Sequence, residues 1–400
     1  MITVDEALEL VREQTHVLPA ERAPIVDAVG LVLGEDVTSQ TNCPPFDKAQ
    51  MDGYAVASNG KESVRSVIGT AAAGDVPRQV VTADTAVRIM TGAPIPQGAD
   101  AVVAFEQVEQ IDEQQIRLDT SVICPGSHVL PLGACLRKGQ VALSIGTPLG
   151  AAQIGLVAES GHQHVAAIPR PGIAILATGN ELVPLGTPIE SSQIRNTNGP
   201  MLAAAATVAG AVSDDRGIAP DQRDDLCEMI ASTLSYDVVA LCGGVSRGDF
   251  DLVPEVLAEL GVTQVFHRVA LRPGKPLWFG IYERPASGKT LVFGLPGNPV
   301  SSYVCFELFV RPALAQLAGR SFQGLPRGVG RLATDYEPSG RREAFLPARI
   351  DRQGHVDLLP WRGSADLTAL GQADVLANLP GGGRSVPAGT EIQCLRMPVA

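Results

Sequence analysis

The chain is poor in aromatic residues, which make up 4% of its 400 positions, so a core must be built from Ala, Val, Leu and Ile. It has no basic stripe. Lys and Arg number 31 against 43 Asp and Glu, a net charge of -12, which argues against a nucleic-acid binder. Its seven cysteines (43, 124, 135, 227, 242, 305 and 394) are odd in number and contain no C-x-x-C pair, so neither a disulfide framework nor a zinc site is indicated. Reduced thiols point to the cytoplasm. No apolar run reaches the roughly 18–20 residues of a membrane span, and the acidic, amphipathic start MITVDEALELVREQT is unlike a signal peptide. The G-x-x-x-x-G-K-[ST] and G-x-G-x-x-G fingerprints are both missing, which argues against an ordinary nucleotide site.

What is present suggests several domains, since 400 residues exceed what one core usually serves. The 42 Gly and 30 Pro are dispersed, as in a chain with many turns rather than a disordered tract. Residues 3–13 have helical apolar spacing, with Thr3 or Asp5 as cap. Residues 66–129 read as short β-branched strands broken by Gly, Pro and Asp, an all-β module. From Pro171 the pattern changes. GIAILATG, DVVALCGG and LVFGLPG are continuous apolar runs of the kind buried on both faces. They alternate with helical stretches, the last being VSSYVCFELFVRPALAQLAG. That alternation predicts a parallel-rich sheet with helices on both faces. Beyond Phe322 short strands return, as a small all-β tail.

In open α/β sheets ligands bind beyond the carboxyl ends of the strands. Three strands there end in glycine-rich turns: Ala177-Thr178-Gly179-Asn180-Glu181-Leu182, Gly243-Gly244-Val245-Ser246-Arg247-Gly248-Asp249-Phe250-Asp251, and Gly294-Leu295-Pro296-Gly297-Asn298-Pro299-Val300-Ser301-Ser302. Such turns let backbone approach an oxyanion closely. Arg272-Pro273-Gly274-Lys275-Pro276 adds two cations at a fourth turn. Glu181, Asp237, Asp249 and Asp251 are read as lying at the same ends, able to hold a hard divalent ion. Together these predict magnesium-assisted phosphate chemistry. Any one such turn is more often just a turn; four at one edge carry the reading. Gly244-Val245-Ser246-Arg247-Gly248 also fits the nucleophile-elbow pattern, with His267 and His355 following, but the Gly-Gly before the serine and the acids after it favour an oxyanion-binding turn. The scattered histidines, including His162 and His164, read as surface residues.

As a set, MDGYAV (51–56), RIMTGAPIPQGADAVV (88–103), ATGNEL (177–182), GGVSRGDFD (243–251), RPGKP (272–276) and GLPGNPVSS (294–302) resemble the molybdopterin molybdenumtransferase family, to which the enzyme domain of gephyrin belongs. The resemblance implies four domains: a small helical and extended domain I (1–38 and 137–170), a β-rich domain II (39–136), a molybdopterin-binding α/β domain III (171–320) and a C-terminal β-barrel, domain IV (321–400). It implies a homodimer with the active site between subunits. It also implies a reaction that takes molybdate and adenylylated molybdopterin, with Mg2+, to molybdenum cofactor and AMP, with molybdopterin adenylyltransferase and molybdoenzymes as protein partners. By motif, Asp52, Thr91, Glu181, Asp237 and Asp251 become the catalytic polar residues, with Glu181 and Asp251 on the metal. Ser246, Arg247, Arg272, Lys275, Gly297, Asn298 and Ser301 become anion contacts, and Arg341 and Thr368 in the tail face the molybdate site.

The chain departs from the family pattern in places. Lys48-Ala49-Gln50 stands where the family has N-S-A, Ala134-Cys135 where it often has two acids, and Arg247 where it has a small apolar residue. These changes remove acidic or polar groups and add positive ones. The second hypothesis is therefore a non-catalytic or altered-specificity relative that binds the pterin or a partner as a scaffold.

Overall fold

The computed structural model describes residues 1–245, 252–285 and 288–398. The chain divides into two compact units, one of residues 1–20 and 168–400, the other of residues 21–167.

The larger unit is built on a six-stranded sheet in the order Val212–Ala219, Gly172–Thr178, Val238–Cys242, Lys289–Leu295, Trp278–Glu283, Thr263–His267. The first four strands run parallel. Trp278–Glu283 is antiparallel because a short turn folds it directly onto Lys289–Leu295. The sheet is thus parallel-rich with an antiparallel edge. The three central strands Gly172–Thr178, Val238–Cys242 and Lys289–Leu295 are largely apolar because each face is covered, whereas the outer strand Val212–Ala219 is polar and mostly not buried. Ile173, Ile175, Val238, Ala240 and Phe293 enter one core with Leu202, Val300, Val304 and Phe309. Leu176, Val239, Leu241 and Val292 enter another with Leu226, Ile230, Val253 and Val256. Period-two alternation therefore sorts apolar residues between two cores rather than between core and water.

The helix Val4–Gln14 starts at a complete capping box, with Glu6 N–H donating to the Thr3 hydroxyl and Thr3 N–H to the Glu6 carboxylate. Its buried residues Val4, Ala7 and Val11 join the first of those cores. The closing helix begins at Pro299–Cys305, widens into a π turn at Phe306–Val310 and continues as Arg311–Leu317. Pro312 has no N–H to give the Leu308 carbonyl, which accounts for the widened turn just before it.

The tail forms a sheet in the order Leu271–Arg272, Glu343–Ile350, His355–Leu358, Arg327–Leu332, Glu391–Arg396, Val375–Leu379, and Val375–Leu379 pairs back onto Glu343–Ile350. That last pairing closes the barrel and removes its free edges. The short strand Leu271–Arg272 lies parallel on Glu343–Ile350, so the RPGKP turn is tied into the barrel.

The smaller unit carries a six-stranded sheet with Gly53–Val56 between Ala101–Ala104 and Thr85–Ile89. It also holds the helix Ala151–Glu159 and a small sheet of Glu21–Pro24, His164–Ile168 and Val32–Leu33. Among the described residues no helix is long and apolar enough to cross a membrane.

Candidate active site

Parallel strands put the turns that follow them on one edge. The ATGNEL turn follows Gly172–Thr178, the Gly243-Gly244 turn follows Val238–Cys242, and the GLPGNPVSS turn follows Lys289–Leu295. RPGKP precedes Trp278–Glu283, but that strand is antiparallel and Trp278 pairs with Gly294, so it opens on the same edge. The expected grouping of four turns is therefore real in space.

The turns touch. Gly243 N–H donates to the Leu295 carbonyl at 3.1 Å. Gly243 has φ 106°, and a Cβ there would lie 2.6 Å from the Thr178 carbonyl oxygen; only glycine lets these two turns meet. Asn198, at the start of the helix Asn198–Val208, donates from Nδ2 to the Gly297 carbonyl at 2.7 Å. Its Oδ1 and the Thr178 hydroxyl are buried without a hydrogen-bond partner among the described residues. Thr178 belongs to the ATGNEL turn, whereas no motif pointed to Asn198.

Glu181 is exposed, and its carboxylate curls over Gly179, within 2.5 Å of where a Cβ there would sit. Asn180 is fixed by reciprocal bonds with Asp221, at 3.2 and 3.1 Å. Gly297 and Asn298 are exposed, whereas Ser301 is buried within the helix they precede. Arg272 is half-buried with its guanidinium carbon 5.9 Å from the centre of the Trp361 ring, and Lys275 is exposed. Ser246, Arg247 and Asp251 lie outside the described residues, as does Asp249.

The tail reaches this edge through Val300 N–H, which donates to the Ser364 carbonyl at 3.0 Å. Thr368 follows in the short helix Leu367–Leu370, capped by Asp366, which accepts from the N–H groups of Thr368 and Ala369. Asp366 is held below the usual carboxylate range, chiefly by the Arg362 N–H. Beside Arg341, Arg342 reaches the short strand Leu271–Arg272 that leads into RPGKP, donating to the Leu271 carbonyl at 2.8 Å. Arg341 is exposed, and its stem lies 3.7 Å from where a Gly383 Cβ would sit.

One expected placement fails. Asp237 immediately precedes the parallel strand Val238–Cys242, so it lies at the amino edge, opposite the turns. There it accepts from Gly172 N–H at 2.9 Å and pairs with Arg284 at 3.3 Å. A residue in front of a parallel strand cannot share an edge with the residues behind it.

Asp52 and Thr91 sit in the smaller unit, and the fold brings their two motifs together. Ala49 N–H donates to the Ala93 carbonyl and Gly92 N–H to the Ala49 carbonyl, at 2.9 and 2.8 Å. Asp52 Oδ1 then accepts from Thr91 N–H at 2.6 Å and from its hydroxyl at 2.9 Å. The Thr91 N–H, then its hydroxyl, hold the Asp52 carboxyl below the usual range, with Arg88 nearby adding to the effect. Both residues are exposed, so the charged carboxylate faces outward.

Other chemistries fare worse. Among the described residues no group of three or more His, Cys, Asp or Glu is placed to hold a metal alone. His267 Nε2 lies 3.0 Å from the Val245 carbonyl. A carbonyl only accepts, so that ring nitrogen carries the proton.

Comparison with known proteins agrees with these motifs along the whole chain. Residues 2–161 match the model of the MoeA N-terminal region (domain I and II), residues 174–316 that of the "Probable molybdopterin binding domain", and residues 329–396 that of the MoeA C-terminal region (domain IV). A molybdopterin molybdenumtransferase of Staphylococcus aureus (strain Mu50) is 33% identical over 98% of this chain and 95% of its own length. A Staphylococcus epidermidis protein of the same name is 30% identical over the same shares. The crystal structure of a molybdopterin biosynthesis MoeA protein from Pyrococcus horikoshii superposes with a TM-score of 0.84 at 31% identity, covering 99% of each chain. With identity above 30% along nearly the full length, the chain belongs to the MoeA family of molybdopterin molybdenumtransferases.

Proposed function

We propose that this enzyme inserts molybdenum from molybdate into adenylylated molybdopterin, releasing AMP and molybdenum cofactor. The observation that carries the reading is the meeting of the four turns at one sheet edge, with Arg272 and Lys275 opening the strand next to the glycine turns. Substrate and molybdate are both anions, and an acidic protein can gather them only where local cations and close backbone override its net charge. Arg272 and Lys275 supply that charge, and the guanidinium fork suits a tetrahedral oxyanion. Gly297, Asn298 and Ser301, with Ser246 and Arg247, complete the anion contacts in this proposal, and Thr368 and Arg341 approach from the tail.

Mg2+ belongs to the proposal. It commonly takes one or two carboxylates and completes its shell with water and substrate phosphates. Exposed Glu181 at the edge fits that donor set, with Asp251 as its partner. When bound, the ion supplies positive charge to the phosphoanhydride. Asp52, ordered by Thr91, faces outward to orient substrate, and we place it in the site of a second subunit in a homodimer. The four-domain division at 38/39, 136/137, 170/171 and 320/321, the cytoplasmic setting, and molybdopterin adenylyltransferase and molybdoenzymes as partners complete the proposal. Nothing observed favours a scaffold without catalysis.

The test is incubation of purified protein with adenylylated molybdopterin, Mg2+ and molybdate. AMP release that depends on molybdate is expected. Tight pterin binding without AMP release would overturn the catalytic reading.

A further inference from the structure

Ala134 and Cys135 follow Gly133 in the smaller unit. The segment around them pairs with Cys43. Cys43 N–H donates to the Leu136 carbonyl at 2.7 Å, while the N–H groups of both Cys135 and Leu136 donate to the Cys43 carbonyl, at 2.9 and 3.1 Å. Two residues on one strand thus oppose one on the other, which is a β-bulge. A bulge breaks the normal alternation of side chains, and here the Cys135 thiol comes close enough to interact directly with the Cys43 thiol. Cys135 is exposed and Cys43 half-buried. The Cys43 thiol also donates to Glu159 Oε1 at 2.8 Å.

We propose that Cys43 and Cys135 form a reversible disulfide, a modification site in which exposed Cys135 is oxidised first and Cys43 resolves it. Direct backbone pairing holds the two residues at the short separation a disulfide needs. The division of labour follows from their surroundings. Cys43 keeps its proton, because the Glu159 carboxylate accepts it and burial adds to the effect, pushing the thiol up to about 11. The exposed partner is the better first nucleophile. A low-molecular-weight disulfide such as oxidised glutathione is the oxidant. The Cys135 thiolate attacks one of its sulfurs, forming a mixed disulfide and expelling one glutathione thiolate, which takes up the proton Cys135 lost. Cys43 then passes its proton to the Glu159 carboxylate as its sulfur attacks Cys135 and expels the second glutathione thiolate. That thiolate takes the proton back from Glu159. Two protein thiols are oxidised and one disulfide is reduced to two thiols.

The bridge closes a loop of about ninety residues, so it stabilises the chain mainly by constraining its unfolded state. It also withdraws the Cys43 thiol from Glu159. Exposed Cys124 offers an internal control for general thiol reactivity.

The test treats the full chain with oxidised glutathione and maps peptides without reduction. A cross-link between the peptides of Cys43 and Cys135, two hydrogens lighter than the reduced pair and cleared by dithiothreitol, is expected. Cys43→Ser should trap glutathione on Cys135, whereas Cys135→Ser should leave Cys43 unmodified. The oxidised wild type should melt several degrees higher than the reduced form. Glutathione retained on Cys135 in the wild type, or no change at either cysteine while Cys124 is modified, would overturn the proposal.

Discussion

The two edges of the α/β sheet are built from the same strands and treat their polar groups in opposite ways. At the amino edge polar groups are paired with one another. Asp237 takes Gly172 N–H and Arg284, the Thr290 hydroxyl reaches the Leu234 and Tyr236 carbonyls, and Tyr236 donates to Asp214. Among the described residues there, Arg284 Nε alone is buried without a partner. At the carboxyl edge the chain spends glycine on close turns, leaves the Thr178 hydroxyl and Asn198 Oδ1 without a partner among the described residues, and leaves Glu181 and Lys275 exposed. A closed polar network fixes a fold, while an unfinished one is what a ligand can complete. The difference separates acids that a motif alone would group together.

The largest expected effect comes from removing the outward carboxylates. Glu181→Ala and Asp52→Ala should each lower molybdate-dependent AMP release by about a hundredfold or more, the scale of losing a group that acts on developing charge. Their melting temperatures should stay within a few degrees of the wild type, because neither carboxylate supports a buried network. Full turnover in both variants would show that the carboxyl edge and the Asp52 turn are not the reacting surfaces.

Asp237→Ala should do the reverse. It strips Gly172 N–H and a largely buried Arg284 of their partner, with the side chains only 23% and 19% exposed. We expect a loss of about 2–4 kcal/mol in stability, measured by urea unfolding, with turnover at low temperature within a few-fold of wild type. A variant as stable as wild type but inactive would reverse our assignment of the two edges.

Much of this architecture is legible in the chain. The apolar runs GIAIL, DVVAL and LVF identify the buried strands, because only a sheet covered on both faces tolerates them. The edge of each turn follows from strand direction, and the error over Asp237 came from reading DVVAL without its polarity. Other features had no local signal. Leu271–Arg272 is a strand of two residues, too short to show any period, yet it joins RPGKP to the barrel. The pairing of residues 51–56 with 85–104 is set by long-range register, which spacing does not encode. Asn198 and Thr178 matter through what they lack, and an unpaired group is visible only once its neighbours are placed.

A smaller effect tests that last point. Thr178→Val keeps the shape of the side chain and removes a buried hydroxyl that has no partner among the described residues. Removing an unsatisfied group is neutral or favourable, so the variant should melt at or above the wild-type temperature. A drop comparable to that of Asp237→Ala would mean that the carboxyl edge is as internally paired as the amino edge.

The smallest effect concerns how Asp52 is held. Its carboxyl titrates below the ordinary value of 3.8, and the Thr91 backbone N–H is the largest cause, ahead of the Thr91 hydroxyl. The sign follows from linkage. A carboxyl whose native value is lowered adds stability that is present above its unfolded value and is lost as pH falls through the native one. The turn joining Asp52 to Thr91 should therefore hold through pH 4 and loosen only below the usual Asp range, seen as a late acid shift of the Thr91 amide resonance in the full chain. Thr91→Val removes the hydroxyl and keeps the N–H, so it should return the midpoint only part of the way toward 3.8. A full return would mean that the hydroxyl, not the backbone, orders the carboxylate. The Asp52 turn would then depend on a side chain, not on the backbone, for its order.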